Sequence, residues 1–221
     1  MEVCRLENVS KTYKMGETVC PLKNISLKVS SGDFLSIEGP SGIGKSTLLY
    51  IIGGLLNLDE GKLYIEDKDV SLLSDRELTT LRGEKIGFIF QDSNLLQALT
   101  LQENLEFAQR ISNKGKCDTR RIDELLERLG LSERKGFLPH SLSGGQRRRA
   151  VVARALINNP KLILADEPTN DLDEKYAAEV ISLLEEATKA GSAVIMVTHN
   201  TKWAERANIR YRINDGILEI I

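Results

Sequence analysis

Residues 39–47 read Gly-Pro-Ser-Gly-Ile-Gly-Lys-Ser-Thr, a glycine-rich stretch that ends in a lysine and two hydroxyls. Those residue types at that spacing suit the binding of a polyphosphate. Gly39, Gly42 and Gly44 let the backbone curl so that several N–H groups converge on one anion, and Ser41 and Thr47 belong to the same cradle. A helix starting near Lys45 adds its positive N-terminal end. Lys45 is placed to reach the β- and γ-phosphates, and the Ser46 hydroxyl to ligate Mg²⁺. A second pair, Asp166-Glu167, closes the apolar run Leu162-Ile163-Leu164-Ala165. An aspartate there can hold Mg²⁺ through a water, and the next carboxylate can polarise an attacking water. A glycine turn or a solvated strand end would account for either feature alone. Together they indicate a nucleotide-phosphate site.

The elements that must position these residues are legible in the apolar pattern. Phe34-Leu35-Ser36-Ile37 reads as a short buried strand leading into the loop, and Leu48, Leu49, Ile51 and Ile52 as the apolar face of a helix leaving it. Residues 2–9 and 25–29 alternate as half-exposed strands, with Gly16 and Pro21 breaking the chain between them and Tyr13 exposed in that connection. Residues 61–66 form another alternating strand, Ser74 or Asp75 caps a short helix through Leu81, and residues 86–90 are a compact strand ending at Gln91-Asp92. From 100 to 135 the apolar residues recur at helical spacing (Leu101, Leu105, Ala108; Ile122, Leu125, Leu126, Leu129), interrupted at Asn113-Lys114-Gly115-Lys116. Ser143-Gly144-Gly145 then opens a helix to about Ile157. A helix over 175–189, a strand over 193–197 and two short strands around Tyr211 and Leu218 complete the chain. Continuous apolar strands alternating with helices predict an α/β fold with a parallel sheet. The expected division is a single domain, with residues 1–99 and 158–221 forming the nucleotide-binding core and 100–157 a helical subdomain inserted into it.

Composition excludes several classes. A net charge of −2 and a pI near 5.9 supply no basic field for nucleic acid or a membrane surface. Cys4, Cys20 and Cys117 lie far apart without a C-x-x-C pair, so neither a disulfide framework nor a zinc site is expected, and reduced thiols in a cytosolic compartment is the plain reading. No signal peptide is expected of the first residues, and no apolar run approaches the ~20 residues of a membrane span.

The run Leu142-Ser143-Gly144-Gly145-Gln146, upstream of the Asp-Glu strand end, resembles the signature of ATP-binding cassette (ABC) ATPases, and the other motifs follow in that family's order over nearly the whole chain. The resemblance implies a P-loop NTPase core with a mostly parallel sheet, an N-terminal antiparallel β subdomain and a helical insertion. It implies ATP and Mg²⁺ as ligands, with Tyr13 stacking on adenine, Gln91 sensing Mg²⁺ and the nucleophilic water, and His199 contacting the γ-phosphate. Asp173 would link the two sites of a dimer. Ser143, Gly144, Gly145 and Gln146 would act in trans, from a second copy that sandwiches two ATP molecules head-to-tail. The implied metal set is Ser46, Gln91 and Asp166; the implied catalytic set is Glu167, His199, Gln91 and Lys45. Ile43, Asn170-Asp171, Asn200 and the run Arg147-Arg148-Arg149 depart from the usual pattern, and that last run is read as a solvated helix face.

Residues 11–17, 85–91 and 99–104 look like the group of macrolide exporters, lipoprotein-release systems and cell-division ATPases. That likeness implies integral membrane permease subunits as partners, no nucleic acid, and a cytoplasmic location at the inner face of the membrane. The competing function is an ABC-type ATPase without a membrane partner, of translation-factor or DNA-repair type. Glu167-Pro168-Thr169-Asn170 is similar to the translation-factor version, although those factors carry two cassettes and repair ATPases a long coiled coil. A P-loop kinase would have no use for residues 142–146.

Overall fold

The computed structural model describes residues 1–112 and 115–221. Two sheets organise the chain. Strands β1 (Glu2–Met15), β2 (Glu17–Ser30), β4 (Glu60–Ile65) and β5 (Lys68–Asp69) form a four-stranded antiparallel sheet in the order β2-β1-β4-β5. Strands β3 (Phe34–Glu38), β6 (Ile86–Ile89), β7 (Leu162–Asp166), β8 (Ala193–Val197), β9 (Ile209–Asn214) and β10 (Ile217–Ile220) form a six-stranded sheet in the order β10-β9-β3-β8-β7-β6. All its pairings are parallel except β9 with β10. Every residue of β3, β7 and β8 is buried, as strands covered on both faces require.

The register decides where the chemistry falls. Ile37 pairs with Val197, Asp166 with Val197, and Ile89 with Ala165. The loop after β3, Gln91 after β6, Glu167 after β7 and His199 after β8 therefore leave one edge of the sheet, at the carboxyl ends of the strands. Ligands of open α/β sheets bind at that edge.

Helices α1 (Lys45–Ile52), α2 (Asp75–Lys85), α3 (Leu101–Ser112), α4 (Thr119–Arg128), α5 (Gly144–Leu156), α6 (Glu174–Lys189) and α7 (Thr201–Ala204) complete the described architecture. One apolar cluster buries α1 between the two sheets, with Leu6, Leu22, Ile37, Leu49, Ile52 and Leu164 among its members. The other joins α3, α4, α5 and α6 to the opposite face of the large sheet through Leu105, Leu125, Val152, Ile163, Ile181 and Met196.

Several expected boundaries move. The first two strands run as one long hairpin, paired up to Met15 and Glu17. Pro21 does not break it, because the register shifts between Lys11 and Tyr13, and a bulge tolerates a residue without an N–H. Tyr13 is thus a strand residue paired with Val19 and half-buried, not an exposed residue of a connection. Helix α2 continues past Leu81 to Lys85, anchored by a full capping box between Ser74 and Glu77. Short elements α7 and β5 were not foreseen; neither is long enough to show a period. The interruption expected at 113–116 falls partly on Asn113 and Lys114, which lie outside the described residues.

The run Arg147-Arg148-Arg149 is not a solvated face. Arg148 and Arg149 are only 6% and 8% exposed. Arg149 donates to the carbonyls of Leu129 and Gly145, and its guanidinium lies 3.6 Å from the centroid of the Tyr176 ring. The helix turns this face inward because α5 is enclosed by β6, α3, α4 and α6, and carbonyls at the ends of those elements need donors.

Gly87 sets how closely α5 approaches the sheet. A Cβ there would lie 2.3 Å from the Ala155 carbonyl oxygen and 2.8 Å from Pro160 Cγ. Gly87→Ala must push helix and strand apart, and overpacking of this kind costs about 1–3 kcal/mol. A drop of several degrees in the thermal unfolding midpoint, measured by calorimetry, is expected, and an unchanged midpoint would contradict this packing.

Candidate functional site

The loop between β3 and α1 adopts the conformation its glycines permit. Gly39, Gly42 and Gly44 have φ of 153°, 79° and 115°. At Gly44 a Cβ would also lie 2.8 Å from the Pro21 carbonyl oxygen, so the hairpin rests directly on the loop. The loop precedes the N-terminus of α1, which has no side-chain cap, and its first N–H groups are available to an anion. Lys45 is 8% exposed, and its ammonium donates to the Gly39 carbonyl at 2.7 Å and the Pro40 carbonyl at 2.8 Å. A third N–H remains for a ligand. Burial lowers the Lys45 pKa, and the nearby carboxylates of Glu167 and Asp166 oppose that shift. Ile43 packs against the core cluster that contains α1.

Asp166 ends β7 and is 1% exposed. Burial raises its pKa, while the adjacent Ser46 hydroxyl and the Lys45 cation lower it. The Ser46 hydroxyl lies beside Asp166, but neither carboxylate oxygen accepts a hydrogen bond. Two buried, unpartnered carboxylate oxygens beside a hydroxyl are a donor set that suits a hard cation. No cluster of three or more His, Cys, Asp or Glu side chains suited to a metal occurs among the described residues. The set therefore fits Mg²⁺ that also takes oxygens from phosphates and water, and not an all-protein cage.

Glu167 has φ of 49°, a left-handed conformation costing a non-glycine residue about 1–2 kcal/mol. Its own N–H donates to Val197 O at 2.9 Å, and the turn delivers its carboxylate to the end of β8. There, Oε1 accepts the His199 backbone N–H at 3.0 Å and lies 2.8 Å from His199 Nδ1; Oε2 accepts the Thr198 hydroxyl at 3.1 Å. Thr198, fully buried, in turn accepts the Asn200 N–H at 3.1 Å. Sequence reasoning singled out Glu167 and His199 and missed Thr198, whose role depends on which strand neighbours β7.

The remaining candidates divide. Gln91 is exposed at the same sheet edge, with its carbonyl accepting from Arg148. Tyr13 lies on the hairpin that touches the loop through Pro21, with Lys11 Nζ 5.6 Å from its ring centroid. Asp173 caps α6, accepting the Tyr176 N–H at 2.9 Å. Ser143 and Gln146 form a reciprocal capping box on α5, at 3.2 and 2.9 Å. A Cβ at Gly145 would lie 2.9 Å from Asp171 O, so the glycine permits a close approach within the chain. Gly144 is exposed, and a Cβ there would meet nothing within 4 Å. Among the described residues, no hydrogen bond or ion pair joins residues 143–146 to 39–47.

The sequence profile of the ABC transporter family matches residues 22–170. An ABC transporter ATP-binding protein of Thermotoga maritima is 43% identical over 99% of this chain and 94% of its own length. The ATP-binding protein LolD 1 of the lipoprotein-releasing system of Rhodopseudomonas palustris is 43% identical over 97% of each chain. The ATP-binding cassette MJ0796, solved as a dimer in a post-hydrolysis state with ADP and phosphate, superposes with a TM-score of 0.93 at 42% identity, over 98% of this chain and 96% of that one. The chain belongs to the ABC transporter family.

As an ABC ATPase domain it has the expected mixed α/β architecture, with an antiparallel N-terminal sheet and a mainly parallel sheet. No described helix is long and apolar enough to cross a membrane. Ile43 faces the core, and Asn200, the residue before α7, presents its backbone N–H to Thr198.

Proposed function

We propose that this chain binds and hydrolyses MgATP and that two copies closing on ATP drive membrane permease subunits. The observation that carries the hydrolytic reading is the Glu167 carboxylate, held at the sheet edge beside Asp166 and the Lys45 ammonium by three donors from residues 198–199. Gly39, Ser41, Gly42, Gly44, Lys45, Ser46 and Thr47 hold the phosphates, and Tyr13 stacks on adenine. Ser46, Asp166 and Gln91 hold Mg²⁺, which would neutralise phosphate charge and fix the polyphosphate's orientation. Each carboxylate oxygen accepts about two hydrogen bonds. Oε1 of Glu167 already has two donors from His199, whereas Oε2 has one from Thr198 and keeps a free lone pair. Oε2 is therefore the oxygen that receives the proton of the attacking water. His199 then serves both to hold Glu167 and to contact the γ-phosphate.

Residues 143–146 act across a two-fold interface in this reading, with Asp173 beside them at the join. Supporting it, the exposure of Gly144 has no packing reason within the chain, and MJ0796 is a solved dimer. Residues 100–157 then form the helical unit that carries the signature, and 1–99 with 158–221 the nucleotide-binding core. The permease assignment rests on relatives. A macrolide export ATP-binding/permease protein MacB of Bdellovibrio bacteriovorus is 42% identical over 97% of this chain, which matches 33% of that longer protein. The chain accordingly works on the cytoplasmic side, held at the membrane through its partners.

Concentration dependence tests the two-copy reading. If hydrolysis needs a pair, phosphate release per molecule should rise with protein concentration until dimers predominate. A specific activity constant from nanomolar to tens of micromolar, with mass measurements showing monomer throughout, would refute it.

A further inference from the structure

Arg148 is a buried cation that no part of the proposed site uses. It lies on α5, 6% exposed, with Nη1 donating to Phe90 O and Nη2 to Gln91 O. Burial dominates its electrostatics and lowers its pKa, against the longer-range pull of Asp171, Asp166, Asp92 and Glu167. Arginine nonetheless keeps its proton, so a full positive charge sits inside the protein. No carboxylate forms a salt bridge with it among the described residues. A buried charge without an ion-pair partner is costly, so the hydrogen bonds that compensate it are the feature to examine.

Strand β6 ends at Ile89, so Phe90 and Gln91 are the first residues beyond the parallel ladder. Their carbonyls accept from α5 instead of from a neighbouring strand. A guanidinium presents its donors in a rigid planar fork and can hold two consecutive carbonyls at once. Glutamine has a single amide group, and lysine one compact ammonium on a flexible stem. The fork therefore fixes the backbone that bears the Gln91 side chain, and it does so from the helix that begins at Ser143.

We propose that Arg148 is a positioning residue for Gln91, locking that glutamine to the signature helix so that the two move as one body. The proposal rests on the reading of Gln91 as part of the MgATP site. Packing alone does not require the fork, because α5 already seats on β6 where Gly87 meets Ala155.

The test is a double-mutant cycle in the full chain, with steady-state phosphate release as the readout. Arg148→Gln should lower kcat about tenfold while leaving KM for ATP within about twofold, because the phosphate loop is untouched. Arg148→Lys, with the charge but not the fork, should fall between. In a Gln91→Ala background the further loss from Arg148→Gln should disappear, since the residue being positioned is gone. A merely structural role would lower the thermal midpoint and reduce kcat equally in both backgrounds. Should Arg148→Gln fail to fold, the same cycle is run with Arg148→Lys. The proposal is overturned if Gln91→Ala slows turnover but the Arg148 variant does not, or if the two losses multiply. Unchanged turnover in Gln91→Ala by itself would overturn the assignment of Gln91 and, with it, this inference.

Discussion

Glu167→Gln should bind MgATP, turn it over roughly 10²–10⁴ times more slowly, and accumulate as an ATP-bound dimer. The substitution keeps the side chain's shape but removes a base and one negative charge. His199 N–H and the Thr198 hydroxyl can still be accommodated, because an amide oxygen accepts and the hydroxyl can reverse its role, so the turn at Glu167 should persist. Without cleavage the bound nucleotide continues to favour whichever state contacts it best, and a sandwich of two copies contacts it from both sides. Sedimentation with and without MgATP reads both halves of the expectation. Wild-type turnover in this variant would remove Glu167 from the base role. A monomer in both conditions at tens of micromolar would leave pairing dependent on the membrane subunits.

The second large effect comes from mixing two inactive chains. Lys45→Ala removes the buried point cation from the phosphate loop and should abolish tight ATP binding. Ser143→Arg destroys the capping box at the start of α5 and places a bulky cation at its exposed tip, and it should leave ATP binding to the separate chain intact. Each alone should be inactive. In an equimolar mixture half the pairs are heterologous, and each of those contains one complete site of its two, so about a quarter of the wild-type rate should return. A mixture as inactive as its components, with dimers shown to form, would mean that residues 143–146 act within their own chain. Loss of monomer binding in Ser143→Arg would point the same way.

How much of this was legible in advance depends on the distance over which each feature is determined. The phosphate loop, the capped helix starts at Ser74 and Ser143, and the buried strands β3, β7 and β8 are local: glycine spacing, capping residues and uninterrupted apolar runs specify them within about ten residues. The long hairpin was read too short because the bulge that accommodates Pro21 is a property of two strands together. The arginine run was misread for a related reason. Charge alone predicts solvent, but a buried arginine is decided by which carbonyls lack partners nearby, and Phe90, Gln91 and Leu129 are far away in sequence.

By itself, the sequence determined that a glycine-rich loop leading into a helix at Lys45, a buried strand ending in Asp166-Glu167 and a helix opening at Ser143 exist, because each follows from residue type and short-range spacing. The tertiary structure alone decided that Thr198 and His199 hold Glu167, that Arg148 holds Gln91, and that Gly145 is pressed against Asp171 while Gly144 is open. Those contacts depend on strand order and register, which arise from the burial of whole faces and are written in no single stretch of chain.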